Sequence, residues 1–339
     1  MGRFLAVGTL FLVGVVLGDA CNYECLPREQ CLEEEPVFRL HSYGCPEPEV
    51  CCSVRRQTTS MSSLCPNDLT KGGAENQPCG LSNPNKPLQR YLSKDLATPG
   101  EFPWLVALFK KGKFLAGGSL IAPGIVLTAA HGVCYQLKED LLVRADEWYL
   151  NSDRDDDQIE EREVKKIVCH ERFIYRTGEY NLALVFLKSP FQLRNHIRTI
   201  CLPTPKTSFE GHRCFVAGWG KKNFVNSETS GILKKLSLPM VNRTTCNQQL
   251  QKTKLGWNYQ LPKTLICAGG ELNQDACIGD GGSPLFCSVN NRNQDVYVQV
   301  GIVNWGIGCG MENVPATYTN LAMFREWIDE KMIDITYKK

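Results

Sequence analysis

From Gly100 onward the chain alternates between short apolar runs and polar breaks. FPWLVALF, GGSLIAPGIVLTAA, NLALVFL, RCFVAGWG and VYVQVGIVNWG are rich in Val, Ile, Leu, Phe and Trp, and Gly, Pro and Asn punctuate them. Many short runs at this spacing predict an all-β barrel or sandwich. One segment departs from the pattern: in NLAMFREWIDEK, Asn320 to Lys331, the residues Leu321, Phe324, Trp327 and Ile328 recur at helical spacing behind Asn320 as a cap. The expectation is a β domain closed by one C-terminal amphipathic helix, without internal repeats.

Upstream, the pattern changes three times. A charged tip at Arg3, an apolar run from Phe4 to Leu17 and the small residues Gly18-Asp19-Ala20 read as a secretory signal peptide over 1–20, because the run is too short to span a bilayer. Six cysteines (Cys21, Cys25, Cys31, Cys45, Cys51, Cys52) then crowd into residues 21–52, a length that buries too little apolar surface to fold without staples. Residues 53–90 turn to Gln, Thr, Ser, Asn, Pro and Gly with no apolar period, as an exposed linker does. The β domain is expected over 91–335.

Composition narrows the class. A length of 339 residues suits one large domain and something minor, and 43% apolar content with a net charge of +2 gives no basic excess to attract nucleic acid. No second apolar stretch reaches membrane length, so a soluble extracellular chain is expected. Seventeen cysteines agree, since thiols at this density persist as disulfides in an oxidising compartment. They are spread along the chain without paired C-x-x-C spacing, which argues against structural zinc. The odd count leaves at least one thiol without an intramolecular partner.

LTAAHG (127–132), YNLALVFL (180–187), CFVAGWG (214–220), CIGDGGSPLFC (277–287) and IVNWGIGCG (302–310) follow one another in an order that resembles the chymotrypsin-like serine proteases over roughly residues 91 to 332. The resemblance implies a double six-stranded β-barrel with a C-terminal helix and a catalytic cleft between the barrels. In such enzymes a histidine takes the serine proton while a buried aspartate orients the imidazole. Here the histidine position is His131, the aspartate position carries Asn181, and the serine position carries Gly281. In this family an aspartate-to-asparagine change costs on the order of 10⁴ in turnover, and loss of the nucleophile costs on the order of 10⁶ in a related triad. The expectation is a degenerate triad and no peptidase. Ser283 lies two residues along the loop, so a weak trypsin-like hydrolase using His131 with Ser283 is the alternative that needs testing.

By the same resemblance Asp275 marks the base of a trypsin-like substrate pocket, Ala316 occupies a place where glycine normally leaves room, and Asn304 replaces the usual serine before Trp305. The disulfide that normally anchors the histidine loop is missing on both sides, with Ala116 and Gly132 in its positions. Family bridges are implied for Cys79–Cys201, Cys214–Cys287, Cys246–Cys267 and Cys277–Cys309. Cys134 and Cys169 are then left to pair as a non-standard bridge, and Cys65 is the odd thiol. Family zymogens are cut before I-V-G-G, and the freed amino terminus pairs with the aspartate preceding the nucleophile. That junction falls at Arg90-Tyr91, and Asp280 is present. However, Tyr91 is large for the buried site and the glycines are absent, so Arg90 equally reads as a linker arginine.

The spacing from Cys21 to Cys52, with ECLPREQC inside and adjacent cysteines at its end, resembles the clip domain that precedes arthropod serine proteases. Its bridges would by that resemblance be Cys21–Cys51, Cys25–Cys45 and Cys31–Cys52, although six cysteines allow fifteen patterns. Clip module, linker and nucleophile-less protease domain together resemble the clip-domain serine protease homologues of the masquerade-like type. That family implies a non-enzymatic cofactor in prophenoloxidase activation during melanisation, with extracellular proteases and a prophenoloxidase-like zymogen as partners, in haemolymph. Binding to microbial surfaces through the clip module is the other non-enzymatic reading. No cofactor is required. The acidic run 152–163, after Glu147, reads either as a solvated loop or as a calcium site using Glu147, Asp157 and Glu160. Asn242-Arg243-Thr244 is a glycosylation sequon, and Arg56 ends a dibasic pair suited to trypsin-like cleavage.

Overall fold

The structure, a computed structural model, describes residues 24–27, 31–34, 49–55, 78–83, 93–150, 159–221, 230–291 and 294–336. The chain divides into two compact units, Met1–Cys65 and Pro66–Lys339. The signal peptide, Arg56, Cys65, Arg90, Tyr91 and Asp157 lie outside the described residues, as do the side chains of the three expected clip bridges. In the first unit, β1 (Glu24–Pro27), β2 (Cys31–Glu34) and β3 (Glu49–Arg55) form an antiparallel sheet in the order β1-β3-β2.

The second unit is two closed barrels. Strands β4 (Leu105–Lys110), β5 (Lys113–Ala122), β6 (Ile125–Thr128), β7 (Leu141–Ala145), β8 (Glu160–Cys169) and β9 (Ala183–Leu187) close in the order β4-β5-β6-β9-β8-β7. Strands β10 (Arg213–Gly218), β11 (Lys234–Val241), β12 (Leu265–Gly269), β13 (Pro284–Asn291), β14 (Gln294–Trp305) and β15 (Pro315–Asn320) close as β10-β11-β12-β15-β14-β13. Both are antiparallel throughout. The expected double six-stranded barrel is therefore the observed one.

Alternation along β9 explains why NLALVFL reads as a continuous apolar run. Ala183, Val185 and Leu187 fill the first barrel, while Leu184 and Phe186 face a core shared with the second barrel. Neither face meets water, so neither needs polar residues. That shared core also holds Phe102, Trp104, Trp219 and Phe286, with Trp104 standing edge-on to Phe286 at 5.3 Å between ring centres.

The C-terminal helix starts later than expected. Asn320 is the last residue of β15, paired with Gly301, and its amide donates to Thr264 O at 2.9 Å; its side chain makes no cap bond. Leu321–Met323 form a separate 3-10 turn, and α3 (Arg325–Thr336) follows. Strand pairing claims Asn320 before it can cap. The apolar face is as the spacing implies, with Leu321, Phe324 and Ile328 buried in the shared core and Trp327 packed against it. By contrast Asn242 does cap a helix: its side chain accepts from Thr245 N at 2.9 Å at the start of α2 (Arg243–Gln251). Asn242→Ala is expected to lower stability by about 1 kcal/mol, read by thermal unfolding of deglycosylated protein.

Candidate functional site

Strand β6 ends at Thr128, and Ala129 holds an extended backbone before one helical turn, α1 (Ala130–Val133). Its second residue is His131. Cys134, the residue after this turn, is bonded to Cys169 at the end of β8. Gly132 faces Ala116, and a Cβ added there would meet the Ala116 methyl at 3.4 Å. The histidine turn is thus anchored by Cys134–Cys169. The other bridges of this unit are Cys79–Cys201, Cys214–Cys287, Cys246–Cys267 and Cys277–Cys309.

Asn181, fully buried just before β9, reaches His131 twice. Its Oδ1 accepts the His131 backbone N–H at 2.9 Å, and its Nδ2 lies 2.8 Å from Nδ1. A backbone N–H only donates, so the orientation of the amide is fixed: Oδ1 faces that N–H and Nδ2 donates to Nδ1. The ring proton then sits on Nε2. The second Nδ2 hydrogen goes to Asn304 Oδ1 at 2.7 Å, and Asn304 Nδ2 donates to Gly178 O at 2.7 Å. A carbonyl only accepts, so the polarity of the chain of amides is set at both ends. Burial holds the His131 pKa below the ordinary histidine value, with Asn181 as its other neighbour; protonation at Nδ1 would break the bond that Asn181 donates.

This network adds a role for Asn304 that the resemblance did not imply. Its side chain serves the histidine through Asn181, because the residue before Trp305 on β14 faces the Gly178 turn. Its longer amide spans to Gly178 O, a reach that residue type alone does not reveal.

Gly281 lies against the imidazole. A Cβ added there would stand 2.8 Å from His131 Nε2 and 3.2 Å from Cε1, closer than a carbon normally approaches. The ring occupies the space a side chain at 281 would need. Ser283 is 1% exposed, and its Oγ has no hydrogen-bond partner. It points between Gly117 and Gly218, where a Cβ on either glycine would collide with it. A hydroxyl enclosed by backbone on both sides does not present itself to a substrate.

Asp275 and Ala316 are both buried, and the Ala316 methyl lies 3.6 Å from where a Cβ on Gly306 would be. Asp275 Oδ2 accepts from Gly310 N at 3.0 Å, while Oδ1 has no partner. Burial, reinforced by the charge of Asp280, pushes its pKa up to about 7 against the pull of the Gly310 and Ala276 amides and Lys234. Asp280 is sequestered more completely. Its Oδ2 meets Lys234 Nζ at 3.0 Å and Cys277 N at 2.9 Å, and its Oδ1 accepts Gly220 N at 2.7 Å. Lys234 has no motif to announce it. A signal was present in the register of KKLSLPMV, which puts Lys234 on the same buried face as Leu236, Leu238 and Met240.

Of the calcium candidates, Glu147 and Glu160 lie among the described residues. Glu147 is buried against Arg144, with Nη1 at 3.2 Å from Oε2, and Glu160 pairs with Arg162 at 2.6 Å. Glu147 Oε1 is buried without a hydrogen-bond partner. Among the described residues no group of three or more His, Cys, Asp or Glu is arranged to hold a metal. Among them also, no helix is long and apolar enough to cross a membrane.

Comparison with known proteins places this geometry. The trypsin family model matches residues 92–328. Phenoloxidase-activating factor 2 of Galleria mellonella is 40% identical over 271 residues, covering 75% of this chain and 88% of that protein. Inactive CLIP domain-containing serine proteases A28 and A8 of Anopheles gambiae are 34% and 35% identical, covering 84% and 83% of this chain and 77% of each relative. Family match, double barrel and relatives agree: the chain belongs to the clip-domain serine protease homologues of the trypsin family.

Proposed function

We propose that this chain is a secreted, non-catalytic cofactor in an extracellular protease cascade, and that the step it assists is proteolytic activation of a prophenoloxidase-like zymogen in haemolymph. One observation carries the non-enzymatic part: at the site where a nucleophile and its base would meet, residue 281 has no hydroxyl and the imidazole presents a protonated Nε2. An Nε2–H donates and cannot accept the proton of an attacking hydroxyl. Gly281 and Asn181 stand at the positions of the lost nucleophile and its orienting acid. The relative named Phenoloxidase-activating factor 2 supports the particular cascade.

Limited proteolysis, at Arg56 or Arg90, is the regulatory step in this reading, and an active cascade protease is the partner that performs it. Asn242 carries a glycan; attachment at Nδ2 leaves Oδ1 free to go on capping α2. Two measurements test the proposal. The full chain, cut or uncut, is expected to take no label from an active-site fluorophosphonate. Added after processing to prophenoloxidase and its activating protease, it is expected to raise the phenoloxidase activity produced. A processed protein that leaves that activity unchanged overturns the cofactor role, and labelling abolished by Ser283→Ala overturns the non-enzymatic one.

A further inference from the structure

Asp280 sits at the root of the turn from Cys277 to Ser283, which carries Gly281 and leads from Asp275. A carboxylate 1% exposed must be neutralised or it costs several kcal/mol of desolvation. Lys234 supplies the countercharge from within the chain. Its side chain is 5% exposed, and Nζ donates to Asp280 Oδ2 at 3.0 Å and to Lys221 O at 2.8 Å. The carboxylate also receives the amides of Gly220 and Cys277. Glycine at 218 and 220 makes the cradle, since a Cβ at either position would run into the carboxylate. Both oxygens are satisfied, and the charge is balanced, without any bond in the chain being cut.

Residues 95–97 are already fixed beside this pair. Leu96 bridges to Lys234, Ala97 N donates to Leu233 O at 3.0 Å, and Lys235 N donates to Asp95 O at 2.9 Å. A cut between Arg90 and Tyr91 would release a new ammonium four residues upstream of Asp95, into a domain whose buried carboxylate already has its cation.

We propose that Lys234 is a built-in substitute for a freed amino terminus: it holds the Cys277–Ser283 turn in its final arrangement in the uncut chain, so cleavage at Arg90-Tyr91 does not switch the protease-like domain. Proteolytic control of this protein then acts through the clip module and linker. The inference stands whether or not the cascade is one that activates phenoloxidase, because its test reads the domain and no cofactor activity.

Hydrogen exchange on the full chain, uncut and cut after Arg90 by a trypsin-like protease with the product verified by amino-terminal sequencing, is the direct test. The amides of Gly220 and Cys277 are expected to exchange at the same rate in both forms. Lys234→Met is expected to speed their exchange at least tenfold in the uncut chain, and adding Asp280→Asn, which removes the unpaired charge, is expected to restore part of that protection. A change in protection of these amides on cutting the unaltered chain overturns the proposal, as does a Lys234→Met protein that protects them as well as the original. Should Lys234→Met fail to fold, the cut-against-uncut comparison decides alone.

Discussion

Asp275→Asn is expected to stabilise the protease-like domain above neutral pH and to flatten its dependence on pH. The folded-state pKa of Asp275 is about 7 against 3.8 for an unperturbed aspartate, with burial as the largest cause. The native state therefore holds a proton that the unfolded chain releases. A raised carboxylate contributes fully below the unfolded value, and its contribution is lost as pH climbs toward and through the folded value. At about 1.4 kcal/mol per unit, the penalty of ionising Asp275 grows from about 1.5 kcal/mol at pH 5 to about 4 kcal/mol at pH 8. Asparagine carries no such penalty, so the substitution should gain correspondingly more at pH 8 than at pH 5. Urea unfolding followed by tryptophan fluorescence at the two pH values measures it. A gain equal at both, or larger at pH 5, would show that the buried carboxylate is not the cause.

The β architecture was legible because a barrel strand shows its burial in its sequence. Strands β7 and β11 alternate buried and half-buried positions, and β9 is apolar on both faces because a second barrel covers its outer side. The start of the last helix was not legible, since the competition for Asn320 between a cap and a strand pairing is decided by Gly301 and Thr264, both distant in sequence. The site divided the same way. His131, Asn181 and Gly281 came from local motifs and meet in space, whereas Asn304 took a partner 123 residues away and Asp280 one 46 away. Such partnerships are products of topology, and the buried register of Lys234 was the one local trace.

Gly281→Ser alone is expected to leave hydrolysis of arginyl peptides at background. Restoring the hydroxyl meets three obstacles that the structure places in series. The new Cβ would lie 2.8 Å from Nε2, so the imidazole must first move, and its place is fixed by Asn181 on one side of the ring and the Cys134–Cys169 bridge behind the turn. Next, Asn181 Nδ2 donates to Nδ1, which leaves the proton on Nε2 and gives the hydroxyl a donor where it needs an acceptor; in this family that fault costs on the order of 10⁴ in turnover. Correcting it with Asn181→Asp creates the third obstacle. Asn304 Oδ1 lies 2.7 Å from Asn181 Nδ2, so a carboxylate at 181 would face it acceptor to acceptor. Turning the Asn304 amide over to relieve this forfeits its bond to Gly178 O, because the carbonyl would then face another oxygen. Asn304→Ser removes that conflict with a hydroxyl free to donate. The combination Gly281→Ser, Asn181→Asp and Asn304→Ser should therefore exceed Gly281→Ser by up to about 10⁴ in kcat, still held back by the contact between the new Cβ and the imidazole. A Gly281→Ser protein whose turnover comes within tenfold of the triple variant would show that the imidazole moves and changes tautomer freely, and that the amide network does not hold it.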